Sequence, residues 1–332
     1  MYKRDFWIRL LACLLILAAA VMPCAAEGIN DEYAPEPDTI DAFLEEPEEE
    51  LHLEAIQWNE TLNDAFNLLN TYQNILVLGI DARPGESTGR SDTMVVISVN
   101  PDNNRIKMIS LMRDLYVEIP GYKNNRLNSA FVKGGPELLK KTIAANFGIE
   151  IDAYIAVNFS MLAKLIDEIG GLTLTVESDY YMDRINAVIK MDNKVLKLDV
   201  NDGLLTQSGE VHMTGKQAQA YARYRYGTKD GDFGRTARQR EVLIKIFEKL
   251  SDMPLLDLIQ LAVSNFENVS TDLNLQDIVT LAPMLLAMKS AEFDQLRIPM
   301  NGAYSDQTIS EMAVLVPNRS KTLEAIAEFM AN

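Results

Sequence analysis

Short, continuously apolar runs of strand length recur along this chain, separated by longer segments in which apolar residues have helical spacing. The predicted strands lie at 73–80, 94–99, 106–111, 153–158, 172–176 and 293–298. The predicted helices lie at 53–72, 137–147, 159–169, 215–224, 235–250, 254–264, 274–288 and 318–331. Strands that alternate with helices indicate an α/β fold whose sheet is covered on most of its surface.

Two polar segments interrupt the alternation. Residues 178–206 predict a polar insertion, and residues 27–54 carry three prolines and the run Glu48-Glu49-Glu50, which predicts an extended, self-repelling spacer. The apolar periodicity does not break between 73 and 330. We therefore expect an acidic, Pro/Glu-rich spacer over 27–70 and a single large domain over 71–332.

The N-terminus predicts export from the cytoplasm. Lys3, Arg4 and Arg9 precede an uncharged, largely apolar run from Leu10 to Ala26. This length fits either an uncleaved membrane anchor or a cleaved signal peptide, and the positive charges keep the start of the chain inside. Residues 1–26 are therefore predicted to be an anchor or signal peptide, with the domain outside the cell membrane, or secreted after cleavage.

Charge and composition exclude several function classes. The formal net charge is −17, and fourteen acids lie between Glu27 and Asp64 without one Lys or Arg. An acidic chain is a poor fit to broad nucleic-acid binding. Both cysteines lie in the N-terminal apolar run and the chain has only two histidines, which disfavours disulfide frameworks, zinc enzymes and Ser-His-Asp hydrolases.

One basic segment stands out against this acidic background. Residues 221–240 hold five arginines and Lys229 against two aspartates, a local balance of 6 − 2 = +4. Forked guanidinium groups bind anions with several oxygens, such as phosphate or pyrophosphate. If the chain is extended at 223–226, Arg223 and Arg225 face the same way; on a helix starting at Arg235, that residue, Arg238 and Gln239 share a face. The alternative is an ordinary solvated basic face.

Two aspartates and one arginine follow or precede predicted strands. Asp81 ends one strand and Asp92 precedes the next, so their carboxylates are placed to meet at a sheet edge and hold Mg²⁺. The alternative is that both cap turns. Arg113 projects from the end of a third strand, although an Arg-Asp dipeptide such as Arg113-Asp114 is more often an ordinary surface pair.

Several short motifs, in this order, resemble the LytR–CpsA–Psr family of bacterial cell-envelope proteins from Asn74 to about Asn332. They are Gly79-Ile80-Asp81-Ala82-Arg83, Gly89-Arg90-Ser91-Asp92-Thr93-Met94, Ser110-Leu111-Met112-Arg113-Asp114, Leu127-Asn128-Ser129-Ala130-Phe131, Gly134-Gly135-Pro136-Glu137, Asp152-Ala153-Tyr154, Asn158-Phe159, Ile169-Gly170-Gly171-Leu172, Gly215-Lys216-Gln217-Ala218, Tyr221-Ala222-Arg223-Tyr224-Arg225, Asp232-Phe233-Gly234-Arg235 and Arg238-Gln239-Arg240. The sequence departs from the family pattern at Met112, where Pro is frequent, and at Arg126, where Lys is common.

The resemblance implies a three-layer α/β/α fold with a central mixed sheet and a hydrophobic polyprenyl-binding pocket. It implies an extracytoplasmic phosphotransferase that moves a polyprenyl-pyrophosphate-linked glycopolymer, such as a teichoic acid or capsule, onto peptidoglycan, with a possible pyrophosphatase side activity. The partners implied are the lipid-linked glycan, peptidoglycan and the membrane of a Gram-positive-type envelope, and no nucleic acid. The alternatives are a non-catalytic polyprenyl-phosphate-binding regulator and a transcription attenuator.

The resemblance also implies roles for individual residues. Mg²⁺ (or Mn²⁺) would be held by Asp81 and Asp92, and the catalytic residues would be Arg113, Asp232 and Arg235. The pyrophosphate would be bound by Arg90, Arg113, Arg223, Arg225, Arg235 and Gln239. Arg83 and Arg126 are further candidates. The general base stays open between one of the aspartates and a substrate-assisted path.

Overall fold

A computed structural model describes residues 46, 50–56, 62–63, 67, 71–81, 89–100, 105–225, 231–266, 269–274 and 288–331. Its strands are β1 (Gln73–Asp81), β2 (Arg90–Asn100), β3 (Arg105–Leu111), β4 (Tyr116–Val117), β5 (Asn125–Arg126), β6 (Ala153–Asn158), β7 (Leu172–Val176), β8 (Gly209–Met213), β9 (Ser270–Thr271), β10 (Glu292–Ile298), β11 (Tyr304–Ile309) and β12 (Met312–Pro317). Its helices are α1 (Leu127–Phe147), α2 (Phe159–Glu168), α3 (Asp179–Val195), α4 (Gly215–Arg223), α5 (Gly231–Ser251), α6 (Leu255–Asn265) and α7 (Arg319–Ala331).

Six strands form a mixed central sheet in the order β10-β3-β2-β1-β6-β9. Strands β1, β2 and β3 are antiparallel neighbours, whereas β6 runs parallel to β1 and β10 runs parallel to β3. Three two-stranded sheets, β4-β5, β7-β8 and β11-β12, lie beside it. The antiparallel and parallel pairs together make the sheet mixed, as the family resemblance implies.

Helices cover both faces of this sheet. Along β1, Ile75 and Val77 belong to one hydrophobic core and Leu76 and Leu78 to a second core, because successive side chains of a strand point to opposite faces. Buried residues of α2 to α6 complete the first core, and those of α1 and α7 complete the second. This arrangement confirms the predicted α/β class and its three layers.

The predicted strands and helices within the described residues are found near their expected positions, with three corrections. The segment 178–206 is not simply a polar insertion, since α3 occupies residues 179–195 and buries Ile185 and Ile189 against the first core. Helix α1 begins ten residues before the predicted Glu137, with non-helical backbone at Gly134 and Gly135 in its middle. Helix α5 begins at Gly231, so Arg235 lies past its first turn, whereas Asp232 lies within it.

Some expectations fall outside the described residues. Most of the helix predicted at 274–288 is among them, as are most residues of the helix predicted at 53–72. Of the described residues in that second helix, 62–63 and 67 are helical, whereas 53–56 and 71–72 are not, so the prediction is wrong at both of its ends. The predicted anchor or signal peptide at 1–26 also lies outside. Among the residues that the structure does describe, no helix is both long and apolar enough to cross a membrane.

Helix α4 is seated directly on the backbone of α2. Gly215, its first residue, donates its N–H to Asp167 Oδ1 at 2.7 Å, and Thr214 and Gln217 cap the helix reciprocally. A Cβ atom at Gly215 would lie 1.7 Å from the carbonyl oxygen of Ala163. Backbone cannot yield as a flexible side chain does, so only glycine fits here.

We expect Gly215→Ala to lower the free energy of unfolding by about 3 kcal/mol, because the methyl group forces α4 away from α2. Gly302→Ala is the matched control. Gly302 has a φ of +75°, but nothing lies within 4 Å of an added Cβ atom, so the strain alone costs about 1 kcal/mol. Urea denaturation followed by circular dichroism measures both, and equal losses would contradict the steric account.

Candidate functional site

A β-bulge near the start of β2 sets the position of Asp92. In the β1–β2 ladder Gly79 pairs with Thr93 and Ile80 pairs with Ser91, so Asp92 is the extra residue. A Cβ atom at Gly79 would lie 2.8 Å from the Thr93 side chain, and glycine therefore permits this close pair. Bulges bend a strand and redirect a side chain, often beside functional sites.

Arg113 joins this bulge to the neighbouring strand. It lies two residues after the end of β3, and its Nη1 donates to Asp92 Oδ1 at 2.9 Å. Its Nε lies 3.5 Å from Asp114 Oδ2 and 3.7 Å from Asp232 Oδ2. One guanidinium thus faces three carboxylates, and only 17% of its side chain is exposed.

The start of α5 brings in the third carboxylate and Arg235, and Arg225 reaches the same carboxylate from just after α4. Asp232 accepts a hydrogen bond from Arg235 Nη2 at 2.9 Å, three residues along the helix, and one from Arg225 Nη1 at 3.4 Å. The neighbouring Phe233 ring packs under the guanidinium of Arg297, with 4.0 Å between Cζ and the ring centroid. This stacking helps to fix the first turn of α5 against β10.

Arg126 approaches the same group from a different element. It ends β5 immediately before α1, and its Nη1 lies 3.7 Å from Asp114 Oδ1. We use the name Arg–Asp cluster for Asp92, Arg113, Asp114, Arg126, Arg225, Asp232 and Arg235. The cluster holds four arginines and three aspartates, so its formal charge is 4 − 3 = +1.

The pKa values of Asp92 and Asp114 are shifted in opposite directions. Burial opposes ionisation of Asp92, but the charges of Arg113, Arg235 and Arg90 outweigh it and hold its pKa below the ordinary value. Burial raises the pKa of Asp114, and the Asp232 charge adds to that shift, whereas Arg113 and Arg126 offset only part of it. Asp92 is therefore firmly ionised, while Asp114 binds a proton more readily than a solvated aspartate.

The arginines are also perturbed. Burial disfavours the charge of Arg113, but Asp92, Asp114 and Asp232 reverse this and raise its pKa. Burial lowers the pKa of Arg235, and the Arg113 charge contributes to that shift. Within the described residues, the buried Nε atoms of Arg113 and Arg235 have no hydrogen-bond acceptor. An anion whose oxygen atoms reached these two groups would supply the missing acceptors.

The five arginines of the basic segment 221–240 have four different sets of partners. Arg225 and Arg235 join the Arg–Asp cluster, whereas Arg223 Nη1 donates to both carboxylate oxygens of Asp192 on α3, at 3.0 and 2.8 Å. Arg238 donates to the Tyr224 carbonyl and stacks on the Tyr224 ring. Arg240 bonds Gln295 Oε1 at 2.8 Å and Ser110 Oγ at 2.7 Å. Arg238 and Arg240 therefore stabilise the fold.

The remaining predicted site residues have simpler placements. Arg90 pairs in the β1–β2 ladder with Asp81, whose side chain lies outside the described residues. Gln239 is buried on α5, one turn after Arg235. Arg83 lies outside the described residues. Asp114 and Asp192 were missed: the Arg-Asp dipeptide was visible in the sequence but common, and nothing local marked Asp192.

The predicted metal ligands have suitable chemistry. Asp92 is ionised and offers hard carboxylate oxygens, which Mg²⁺ prefers. The ladder places the backbone of Asp81 opposite Arg90, two residues from Asp92. Across the described part of the chain, no group of three or more His, Cys, Asp and Glu side chains could hold a metal ion. A metal at this position would thus rely on Asp81 and Asp92 together with oxygens of a ligand.

Comparison with known proteins gives consistent matches over this region. The profile of the LytR_cpsA_psr family matches residues 46–327. The regulatory protein MsrR of Staphylococcus aureus (strain COL) is 30% identical over 261 residues, covering 77% of this chain and 74% of MsrR. The polyisoprenyl-teichoic acid–peptidoglycan teichoic acid transferase TagV of Bacillus subtilis (strain 168) is 30% identical over 248 residues, covering 73% of this chain and 60% of TagV.

Solved structures of B. subtilis TagT are also similar. TagT bound to LIIa-WTA has 26% identity and a TM-score of 0.63, covering 83% of this chain and 94% of that one. TagT with bound octaprenyl pyrophosphate lipid has 25% identity and a TM-score of 0.59, covering 84% of this chain and 93% of that one. Family and fold thus agree with the arrangement described above.

The opposite pKa shifts of Asp92 and Asp114 give opposite pH dependences of stability. Because folding lowers the pKa of Asp92, its carboxylate stabilises the protein above pH about 4 and loses this effect as the pH falls below that value. Asp92→Asn should lower the free energy of unfolding by about 2 kcal/mol at pH 7 and progressively less below pH 4.

Folding raises the pKa of Asp114, so its ionisation opposes folding as the pH rises above about 4. Asp114→Asn should therefore gain stability relative to the wild type between pH 4 and 7. Urea unfolding of both variants from pH 3 to 7 measures the difference. Parallel pH profiles of the two variants would show that folding does not shift the pKa values of these two carboxylates in opposite directions.

Proposed function

This chain belongs to the LytR_cpsA_psr family, and we propose that it is an extracytoplasmic phosphotransferase. Its donor is a polyprenyl-pyrophosphate-linked glycopolymer, and its acceptor is a hydroxyl of peptidoglycan. TagV supports the reaction class by its name as a teichoic acid transferase, and TagT supports the donor class by its bound octaprenyl pyrophosphate lipid. The likeness to both covers most of this chain.

The observation that carries the proposal is the Arg113 guanidinium in contact with three carboxylates, beside the cluster's other arginines. A pyrophosphate carries several charged oxygens, and planar guanidinium groups bind such oxygens in pairs. The cluster has an excess of one positive charge before any ligand binds. A diphosphate that enters can take over donors that the aspartates now occupy.

The proposed reaction exchanges one phosphorus–oxygen bond for another. The acceptor hydroxyl oxygen attacks the glycan-linked phosphorus, the bond to the bridging oxygen breaks, and polyprenyl phosphate leaves. Arg113 and Arg235 stabilise charge on the phosphoryl oxygens, and Asp232 orients both guanidinium groups. The hydroxyl proton passes to a carboxylate of the cluster, and Asp114 suits this role because its pKa is raised.

Asp81 and Asp92 would hold Mg²⁺ or Mn²⁺, which when bound supplies a positive charge beside the diphosphate oxygens. Arg90 lies next to both in the β1–β2 ladder, so this chain brings cationic groups to the same edge of the sheet. The lipid chain of the donor would occupy an apolar pocket next to the cluster. The predicted N-terminal anchor would keep the domain at the outer face of the cell membrane.

We expect Arg113→Lys to reduce turnover by about 100-fold, because lysine keeps the charge but loses the planar fork. Arg105→Lys is the matched control, since Arg105 starts β3, at the end of that strand farther from Arg113, and pairs with Glu292 and Asp294 there. The assay follows release of polyprenyl phosphate from a polyprenyl-pyrophosphate-linked disaccharide with Mg²⁺. The proposal fails if Arg113→Lys folds normally and retains full turnover.

We expect Asp192→Asn to lower the KM for the donor about threefold. Arg223 Nη1 must leave the Asp192 carboxylate before it can bind a diphosphate, and breaking this partly exposed ion pair costs a small but measurable free energy. Asp183→Asn removes one acid from an exposed position of the same helix and serves as the control. An unchanged or higher KM would show that Asp192 instead supports Arg223 in the bound state.

A second candidate is a non-catalytic regulator that binds a polyprenyl phosphate. The name of MsrR, a regulatory protein, favours it. The same wild-type assay separates the two functions. A regulator binds the pyrophosphate lipid with normal affinity but releases no polyprenyl phosphate, and Arg113→Lys then changes affinity alone.

A further inference from the structure

Part of the segment expected to be a spacer lies against the domain. Glu46 Oε2 accepts a hydrogen bond from the backbone N–H of Lys123, and Glu50 Oε1 accepts one from the N–H of Asn124, both at 3.0 Å. Asn124 Nδ2 in turn donates to the Leu51 carbonyl at 3.0 Å. Two consecutive backbone amides of the loop between β4 and β5 are therefore held by carboxylates from the segment.

Lys133 provides a second point of attachment. It lies on α1, its side chain is only 2% exposed, and its Nζ is 3.0 Å from Glu46 Oε1. The ammonium also lies 5.1 Å from the centroid of the Tyr122 ring. A buried ammonium requires a nearby anion to offset its desolvation. Glu46 supplies that anion from the segment.

Apolar contacts continue the attachment. Leu51 and Leu53 pack on a small core formed by Tyr116, Ile309 and Val314, between the β4-β5 and β11-β12 sheets. The Leu51 N–H donates to the Tyr116 hydroxyl at 3.1 Å. Leu51 and Leu53 are partly buried in this contact. Removing their apolar surface from water favours docking of the segment. We name Glu46 and residues 50–56 the docked segment.

The loop that the docked segment holds leads directly into the Arg–Asp cluster. Two residues after Asn124, Arg126 ends β5 and reaches Asp114. Arg126 is also fixed locally, since its N–H donates to Asn125 Oδ1 at 2.7 Å and its carbonyl accepts from Ser129 Oγ at 2.6 Å. A displacement of Asn124 would therefore be transmitted to Arg126.

We propose that Glu46 and Glu50 are positioning residues, which hold the β4–β5 loop and thereby place Arg126 against Asp114 in the cluster. The spacer thus contributes a structural part of the site rather than only a length of tether. The effect on turnover rests on the function proposed above. The effects on the loop and on anion binding do not rest on that proposed function.

The test uses the full chain in detergent. Glu46→Ala/Glu50→Ala should raise the amide hydrogen exchange rates of Lys123 and Asn124 at least about tenfold, because both lose a charged acceptor. The same variant should raise the Kd for inorganic pyrophosphate about tenfold. Glu50→Gln keeps a side-chain oxygen as acceptor, so the Asn124 amide should exchange at the wild-type rate in this variant. Combining Glu46→Ala/Glu50→Ala with Arg126→Ala should weaken pyrophosphate binding no more than Arg126→Ala alone.

Glu54→Ala is the matched control, because it removes one acid from the same segment, and the bond of Glu54 within the described residues is made by its backbone carbonyl, which accepts from Arg319. Its exchange rates and pyrophosphate Kd should equal those of the wild type. Unchanged exchange at Lys123 and Asn124 in the Glu46→Ala/Glu50→Ala variant would overturn the inference. Faster exchange with an unchanged pyrophosphate Kd would overturn it as well. So would a loss of pyrophosphate affinity in the combined variant that equals the sum of the losses in Glu46→Ala/Glu50→Ala and in Arg126→Ala.

A wild type that binds pyrophosphate but shows no turnover would contradict the proposed transferase function alone. The positioning role is then decided by the exchange rates and the Kd. The two proposals therefore fail in distinguishable ways.

Discussion

The ion pair between Arg113 and Asp92 is the contact on which the arrangement of this site depends. It connects the bulge of β2 to the end of β3, and through Asp232 it reaches the first turn of α5. A partly buried charge pair is favourable only when its hydrogen-bonding groups are satisfied and its geometry is good. Three carboxylates around the Arg113 guanidinium offset its charge. Its Nε donor has no hydrogen-bond acceptor among the described residues.

The cluster balances burial against charge in a way that suits an anion site. Each aspartate contacts at least one arginine, and Arg113 and Asp232 each contact more than one group of opposite charge. The folded protein therefore stabilises these groups mutually before a ligand arrives. Charges that are already desolvated and oriented need little reorganisation when an anion with several oxygens binds.

Much of the fold was accessible from the sequence, and the reasons differ between elements. The buried strands β1, β2 and β3 are apolar on both faces, so their runs were unmistakable. Helix α3 was missed because only four of its residues are buried, and two of those four are asparagines. The short strands of the β4-β5 pair have two residues each, too few for a periodic pattern.

The site was predicted less completely, because its contacts join distant parts of the chain. The strand-end positions of Asp92 and Arg113 follow from the alternation of elements. The assignment of Arg223 to Asp192 depends on how α3 packs beside α4, which no local pattern records. Nothing in the sequence distinguishes Arg238 and Arg240 from the other arginines of the segment. Only the packing of α5 on β3 and β10 directs Arg240 to its hydrogen bonds with Gln295 and Ser110.

Docking of Glu46 shortens the free connection between the domain and a membrane anchor at 10–26, if that predicted segment is retained. Residues 27–45 then remain as the linker, nineteen residues that span at most about 65 Å when fully extended. A linker that ran freely to residue 70 would reach about 150 Å. With a retained anchor, the shorter linker would keep the site within about 65 Å of the bilayer surface, less than half the distance that a free spacer would allow.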